Sequence, residues 1–277
     1  MPLGTQALGW TPGPRSFRHP GGLLAAVPGG LIASGSQVRD SPPLDLAKSA
    51  RPWGTTLWYD CHMPLVRLNL PDSPPPAPPE VARFVADAQS RIDTFIESHL
   101  TEPIHSFVPS DFQMVYGALR HVADVHLAAG PLFCEWGSGA GVVTCLAAML
   151  GFDACGIEFE FELVELSIRL ARHHHVKADF CRGNFVPPAG QKIAEEVNEF
   201  EWLAIGGPDP YNQMDMDIDD FDVIFAYPWP GEEHVIERLF ERFAANGALL
   251  MTYNGAEGIR LFRRHHGTTD ADGGAFQ

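Results

Sequence analysis

The chain has 277 residues, of which 45% are hydrophobic, enough for one sizeable domain with appendages or two small ones around a full core. Asp and Glu number 35 against 19 Lys and Arg, a formal net charge of −16, and so acidic a surface repels phosphate backbones and excludes nucleic acid as the default partner. The five cysteines, Cys61, Cys134, Cys145, Cys155 and Cys181, are odd in number and contain no CxxC pair, which argues against a disulfide framework or a zinc site and for a reducing, cytoplasmic setting.

From the N-terminus, residues 1–56 are rich in Gly, Pro, Ser and Ala without periodicity and read as a low-complexity, disordered leader. Within them Arg15 and Arg18 precede GGLLAAVPGGLIASGS, but Pro28 and the glycines interrupt the apolar part, which disfavours a secretory signal. No apolar stretch approaches the ~20 residues needed to span a bilayer, so no membrane segment is expected. Residues 57–79 hold one strand and a proline-rich linker. In LWYDCHMPLVRLNL, Val66, Leu68 and Leu70 alternate with polar residues, and PDSPPPAPPE reads as a stiff spacer. Residues 80–130 form a helical cap region. Val81, Phe84, Val85, Ala88, Ile92, Phe95 and Ile96 mark one apolar face of a first helix. A second helix in SDFQMVYGALRHVADVHLAAG has Ser110 as N-cap and Gly130 as stop.

From 131 to 266 strand and helix signals alternate, ahead of a flexible tail at 267–277. PLFCEW is a buried strand, VVTCLAAMLG a helix, DACGIE a strand and FELVELSIRLARHHH a helix. VKADFCRGNF is a strand, and a helix lies near QKIAEEVNEFEWL. FDVIFAY is a strand, EEHVIERLFERFAANG a helix and GALLMTYNG a strand. This alternation predicts an α/β fold with a doubly wound, mostly parallel sheet.

The turn between the first two of these strands carries the chemistry. EWGSGAG has three alternating glycines, Gly137, Gly139 and Gly141, with Glu135 ahead of them, and Glu158 closes the next strand. In a βαβ unit such a turn brings a helix N-terminus and exposed backbone N–H groups to a ligand. The dinucleotide pattern GxGxxG would need a third glycine where Val142 stands, which opposes a nicotinamide cofactor and an NAD-dependent oxidoreductase. The acidic residue followed by xGxGxG resembles the first motif of class I, Rossmann-like S-adenosylmethionine-dependent methyltransferases. FVPS, Phe107 to Ser110, is similar to the lead-in of the branch containing non-SET protein-lysine methyltransferases. The resemblance runs from about Phe107 to Tyr253, roughly half the chain.

This resemblance implies S-adenosyl-L-methionine as cofactor. It implies binding by Ser110, Glu135, Gly137, Ser138, Gly139, Gly141, Glu158, Phe159, Asn184 and Phe185. Glu158 takes the place of the ribose-binding acid, and Asn184 of RGNF that of an Asp beside the adenine. A carboxylate in the ribose position can accept both hydroxyls. Glu135 favours the positively charged amino end of the cofactor.

FDVIFAYPWPGEE stands where the family's fourth strand meets the transferable methyl. Tyr227 replaces the polar residue of the amine-methylating Pro-Pro motif and Trp229 its second proline, which argues against a nucleic-acid base methyltransferase. Tyr227 also replaces the Asp of the metal-dependent catechol type, and no metal is expected. Tyr227 and Trp229 remain as walls of an acceptor site, where aromatic faces hold an alkylammonium. The acceptor expected is a protein lysine or a small-molecule amine. A non-catalytic S-adenosylmethionine-binding interaction protein is the alternative, and nothing in the chain indicates its oligomeric state. Glu232 and Glu233 read as acids favoured by a helix N-terminus. His173, His174 and His175 read as a solvated helix end, since adjacent helical positions point about 100° apart. Asp215, Asp217, Asp219 and Asp220 read as a solvated loop, and Arg260, Arg263 and Arg264 with His265 and His266 as a helix end. With so little chain after GALLMTYNG, the family's last two strands are expected to be missing. The sheet then stops at five strands, or borrows one from Leu57–Leu70 or from a second subunit.

Overall fold

The computed structural model describes residues 65–71, 75–99, 107–197 and 206–265. The expected leader, Cys61, the first part of the Leu57–Leu70 segment, His266 and the tail lie outside the described residues.

Among the described residues seven strands form one sheet: β1 Leu65–Leu68, β2 Leu132–Trp136, β3 Asp153–Glu158, β4 Ala178–Arg182, β5 Val223–Ala226, β6 Leu249–Tyr253 and β7 Ile259–Arg264. Their order across the sheet is β1-β7-β6-β5-β2-β3-β4. β4, β3, β2, β5 and β6 run parallel. β7 returns antiparallel beside β6, and β1 lies antiparallel to β7.

The sheet therefore does not stop at five strands. β7 is built from the arginine cluster that read as a helix end. Its residues alternate, with Leu261 packed in one core and Phe262 against the other. Arg263 donates to the Leu127 carbonyl at 2.9 Å, and Arg264 donates to that of Ala244. The period is two, and the charged heads reach backbone acceptors past the sheet margin, which snorkelling side chains allow. The strand β1 comes from the Leu57–Leu70 segment, pairing Leu65 with Arg264 and Leu68 with Leu261. It covers the β7 edge.

Seven α-helices flank the sheet among the described residues: α1 Pro79–Ser98, α2 Phe112–Asp124, α3 Val142–Met149, α4 Phe161–His173, α5 Gln191–Val197, α6 Pro210–Met214 and α7 Glu233–Phe243. Side chains alternate across each buried strand, so one sheet feeds two cores. Phe133, Val223, Phe225, Leu249 and Met251 face α1 to α4. Cys134, Trp136, Ile224, Ala226 and Leu250 face α5 to α7. Val81, Phe84, Ala88 and Ile92 are the buried stripe of α1, while Ile96 at its far end is exposed. Pro79 starts α1 at the position where a missing N–H costs nothing.

The cap of α2 differs from expectation. Asp111 takes the position, its carboxylate accepting from the N–H groups of Gln113 and Met114, and Ser110 lies one residue upstream. Gly130 does not stop the helix, which ends at Asp124; it passes close to the Asp222 carboxylate that accepts from Leu132 N–H. The short helix α6, capped by Asp209, carries no apolar period and was not foreseen. The aspartates before β5 include a capping box between Asp217 and Asp220 around a single helical turn. The four described cysteines are free thiols, with Cys134 and Cys155 neighbours on β2 and β3. No described helix is long and apolar enough to cross a membrane.

Candidate functional site

The chain leaves β2, the middle of the five parallel strands, for β3 and β4 on one side, then crosses to β5 and β6 on the other. In open α/β sheets ligands bind at the carboxyl ends of strands where this reversal occurs. A cleft of about 360 Å³ opens there, within the roughly 300–1,000 Å³ of small-molecule sites. The carboxyl ends of β2, β3, β4 and β5 and the Phe107–Ser110 approach to α2 line it.

The glycine turn joins β2 to α3. At Gly139 a Cβ would meet the Phe107 ring at 2.7 Å, so the absent side chain lets the upstream segment lie on the turn. Gly141 caps α3 with φ +72, and a Cβ there would reach Phe180 at 2.4 Å and Ser167 at 2.6 Å. Gly137, Ser138 and Gly139 face the cleft. Gly141 is not among the lining residues and seats α3 against α4 and β4 instead.

Two buried carboxylates hold this turn. Glu135, 4% exposed, accepts from Thr144 N–H at 2.8 Å and from the Thr144 hydroxyl. Burial pushes its pKa from an ordinary 4.5 up to about 8, against the pull of the Thr144 bonds. The acid therefore ties the end of β2 to the first turn of α3 and is part of the cleft lining. Thr144 had no signal of its own, since a Thr in a helix is read first as filler. Glu158 ends β3. Its Oε2 accepts from Gly139 N–H at 2.7 Å and its Oε1 from Glu160 N–H at 2.9 Å. Burial raises its pKa, and the backbone N–H groups of Glu160 and Gly139 oppose this.

Beyond Glu158 the wall continues with Phe159, Asn184 and Phe185. Phe159 is 39% exposed. The Asn184 amide spans its loop, Nδ2 donating to the Gly206 carbonyl at 2.8 Å and Oδ1 accepting from Val186 N–H at 2.9 Å. Phe185 stacks on Trp136 with centroids 5.3 Å apart. Ser110 also lines the cleft, with Phe107 and Val108.

On the β5 side the wall is Tyr227, Pro228, Trp229 and Pro230, followed by Glu232. Tyr227 packs edge-on against Tyr253 at 4.8 Å. Burial and the neighbouring Tyr253 raise the Tyr227 pKa. Glu232 was read only as a helix-opening acid. It is 6% exposed and lies in the cleft wall. Its Oε2 accepts from Trp229 N–H at 3.2 Å, while Oε1 is buried without a hydrogen-bond partner. Ser138 Oγ is a second buried polar atom of the cleft without a partner.

Away from the cleft, His174 Nε2 meets Asp87 of α1 at 2.7 Å, and His173 and Asp87 offer further ligand atoms within 4.8 Å. Two of the three adjacent histidines thus converge, because ring rotation brings neighbouring side chains together with centroids 4.9 Å apart. Arg91 pairs with the same Asp87 oxygen at 2.7 Å, so the cluster works as a polar tether between α1 and the end of α4.

No family model matches the sequence, and no curated protein matches it. Solved structures resemble the fold at low identity. An RNA methyltransferase from Salinibacter ruber in complex with S-adenosyl-L-homocysteine is 16% identical, the match covering 59% of this chain and 97% of that one, with a TM-score of 0.40. A putative O-methyltransferase from Klebsiella pneumoniae is 14% identical over 69% and 92% of the two chains, also at 0.40. A Podospora anserina methyltransferase bound to S-adenosyl-L-homocysteine is 10% identical over 65% and 64%, again at 0.40. By its strand order, with five parallel strands and an antiparallel β7, the chain has a Rossmann-like α/β fold.

Proposed function

We propose that the cleft binds S-adenosyl-L-methionine and that the chain is a methyltransferase. The observation that carries this reading is Glu158. It is a buried carboxylate at the end of β3, bonded through Gly139 N–H to the glycine turn beside it in the cleft lining. A carboxylate has about four acceptor sites, so two backbone bonds leave capacity for a pair of ribose hydroxyls. Phe159, Asn184 and Phe185 line the cleft next to Glu158 and the end of β4, and would hold the adenine. Glu135, held by Thr144 of the first turn of α3, favours a cationic amino group, since burial alone leaves it poorly charged. These residues fit the cofactor.

Bound there, the cofactor would supply an electrophilic methyl. The chain would contribute position and exclusion of water. Tyr227 and Trp229 wall the β5 side, where an acceptor would lie in line, and alignment provides much of the rate of such a transfer. A protein lysine or small-molecule amine is the acceptor favoured, because aromatic walls suit an alkylammonium. No covalent enzyme residue is required.

The test is transfer of tritiated methyl from S-adenosyl-L-methionine to a panel of alkylamines and lysine peptides. Label in an acceptor that depends on Glu158 supports a methyltransferase. Tight cofactor binding with no transfer to any acceptor, including the chain itself, would make the protein a non-catalytic binder.

A further inference from the structure

The turn after β5 fixes an acid that Tyr227 and Trp229 alone do not explain. Trp229 and Glu232 close on each other: Glu232 N–H donates to the Trp229 carbonyl at 2.9 Å, and Trp229 N–H donates to Glu232 Oε2 at 3.2 Å. Gly231 N–H donates instead to Glu233 Oε2 at 2.8 Å. The backbone of Glu232 is held further by α7, its carbonyl accepting from Val235 and Ile236 N–H. Both the residue and one of its carboxylate oxygens are thus pinned in place. The other oxygen, Oε1, is buried and unpartnered, on a side chain 6% exposed that lines the cleft. No described cation forms an ion pair with it.

A buried carboxylate with one unmet acceptor is costly to keep. A donor that enters the cleft would relieve that cost. We infer that Glu232 is the acceptor-recognition residue, and that its Oε1 receives a primary ammonium held between the Tyr227 and Trp229 walls. The inference rests on the methyltransferase reading and narrows its acceptor to a primary alkylamine that arrives protonated. An ammonium has no lone pair and cannot attack a methyl. Passage of one proton from its nitrogen to Glu232 Oε1 leaves a neutral amine, which is a nucleophile, and a carboxylic acid. Burial already raises the Glu232 pKa, with Glu233 adding to the rise and Trp229 N–H opposing it, so that proton is accepted more readily than by a surface acid.

The experiment measures binding, not turnover. The full chain is saturated with S-adenosyl-L-homocysteine and titrated, with tryptophan fluorescence as readout, using butylamine, 1-butanol and butyltrimethylammonium at neutral pH. Butylamine is expected to bind at least about tenfold more tightly than butanol, as a hydrogen bond to a charged group gives. It is also expected to bind more tightly than the quaternary cation, which has charge but no N–H. In Glu232→Gln the advantage over butanol is expected to disappear while the S-adenosyl-L-homocysteine melting shift stays. Equal binding of butylamine and butanol by the wild type overturns the inference. So does a preference for the quaternary cation, or an unchanged butylamine affinity in a folded Glu232→Gln. If that variant fails to fold, the three wild-type affinities decide. A wild type that shows no melting shift with S-adenosyl-L-homocysteine overturns the cofactor reading itself, and the inference with it.

Discussion

Glu135 and Gly141 show how little the identity of a residue reveals until its neighbours are known. Glu135 sits where a cofactor-facing acid is expected, yet its first partner is Thr144. Its raised pKa is a stability statement. The folded state holds a proton that the unfolded chain gives up near 4.5, so stability falls as pH rises from about 4.5 to about 8. Glu135→Gln keeps an oxygen for Thr144 and is expected to flatten that part of the profile. Melting temperature from pH 5 to 8, wild type against variant, checks it; parallel profiles would show that the buried acid is not the source. Gly141→Ala is expected to destabilise by roughly 2–4 kcal/mol, combining a left-handed alanine with overpacking against Phe180 and Ser167. Urea unfolding measures it, and a loss under about 0.5 kcal/mol would mean that the turn relaxes freely. Glu158 was legible in the sequence because a strand-ending acid after a glycine turn has few other uses. Glu232 was not, because an acid at a helix start is commonplace. Its burial comes from the fold of Pro228 to Gly231, which no spacing encodes.

Among the elements, the long amphipathic helix α1 was legible from its period, and its tethers were not. His174 and Asp87 join α1 to α4, and so do His99 and Glu162 at 2.8 Å. Residues 84, 87 and 174 are brought together only by the packing of distant segments. The hydrogen bonds from Arg91 and His174 depress the Asp87 pKa. The sign follows: the contribution of Asp87 is present above its ordinary 3.8 and is lost as pH falls through its lower folded value. The side chain of Asp87 is 35% exposed, so its worth to global stability is small, under about 1 kcal/mol. Asp87→Asn is instead expected to speed amide hydrogen exchange across Val81–Ile92 several-fold at neutral pH, with a melt nearly unchanged. Exchange identical to wild type would show that the apolar stripe alone docks α1. The strand β7 was misread because arginines dominate its composition, and composition hid a period of two. The pairing that decides it, Leu250 opposite Phe262 and Met251 opposite Leu261, is a tertiary fact.

At the scale of the whole molecule, the parallel core was legible because each buried strand is a short apolar run bounded by a glycine or polar turn. The closure of the sheet was only half legible. A segment ahead of α1 supplies the outer strand, as one of the expected alternatives had it, but β7 between it and β6 was not foreseen. Closing the sheet in this way leaves the carboxyl ends of β2, β3, β4 and β5 open on one side, and the cleft follows from that topology. The central claim is that this cleft takes an S-adenosyl ligand through Glu158. The most direct measurement is the melting temperature of wild type and Glu158→Ala with S-adenosyl-L-homocysteine and with NADH. A ligand at 100 times its Kd stabilises by about 2.7 kcal/mol, a shift of a few degrees for a domain of this size. The expected result is a shift with S-adenosyl-L-homocysteine alone, abolished in a folded Glu158→Ala. A shift with NADH instead, or none with either ligand in a well-folded wild type, would contradict it.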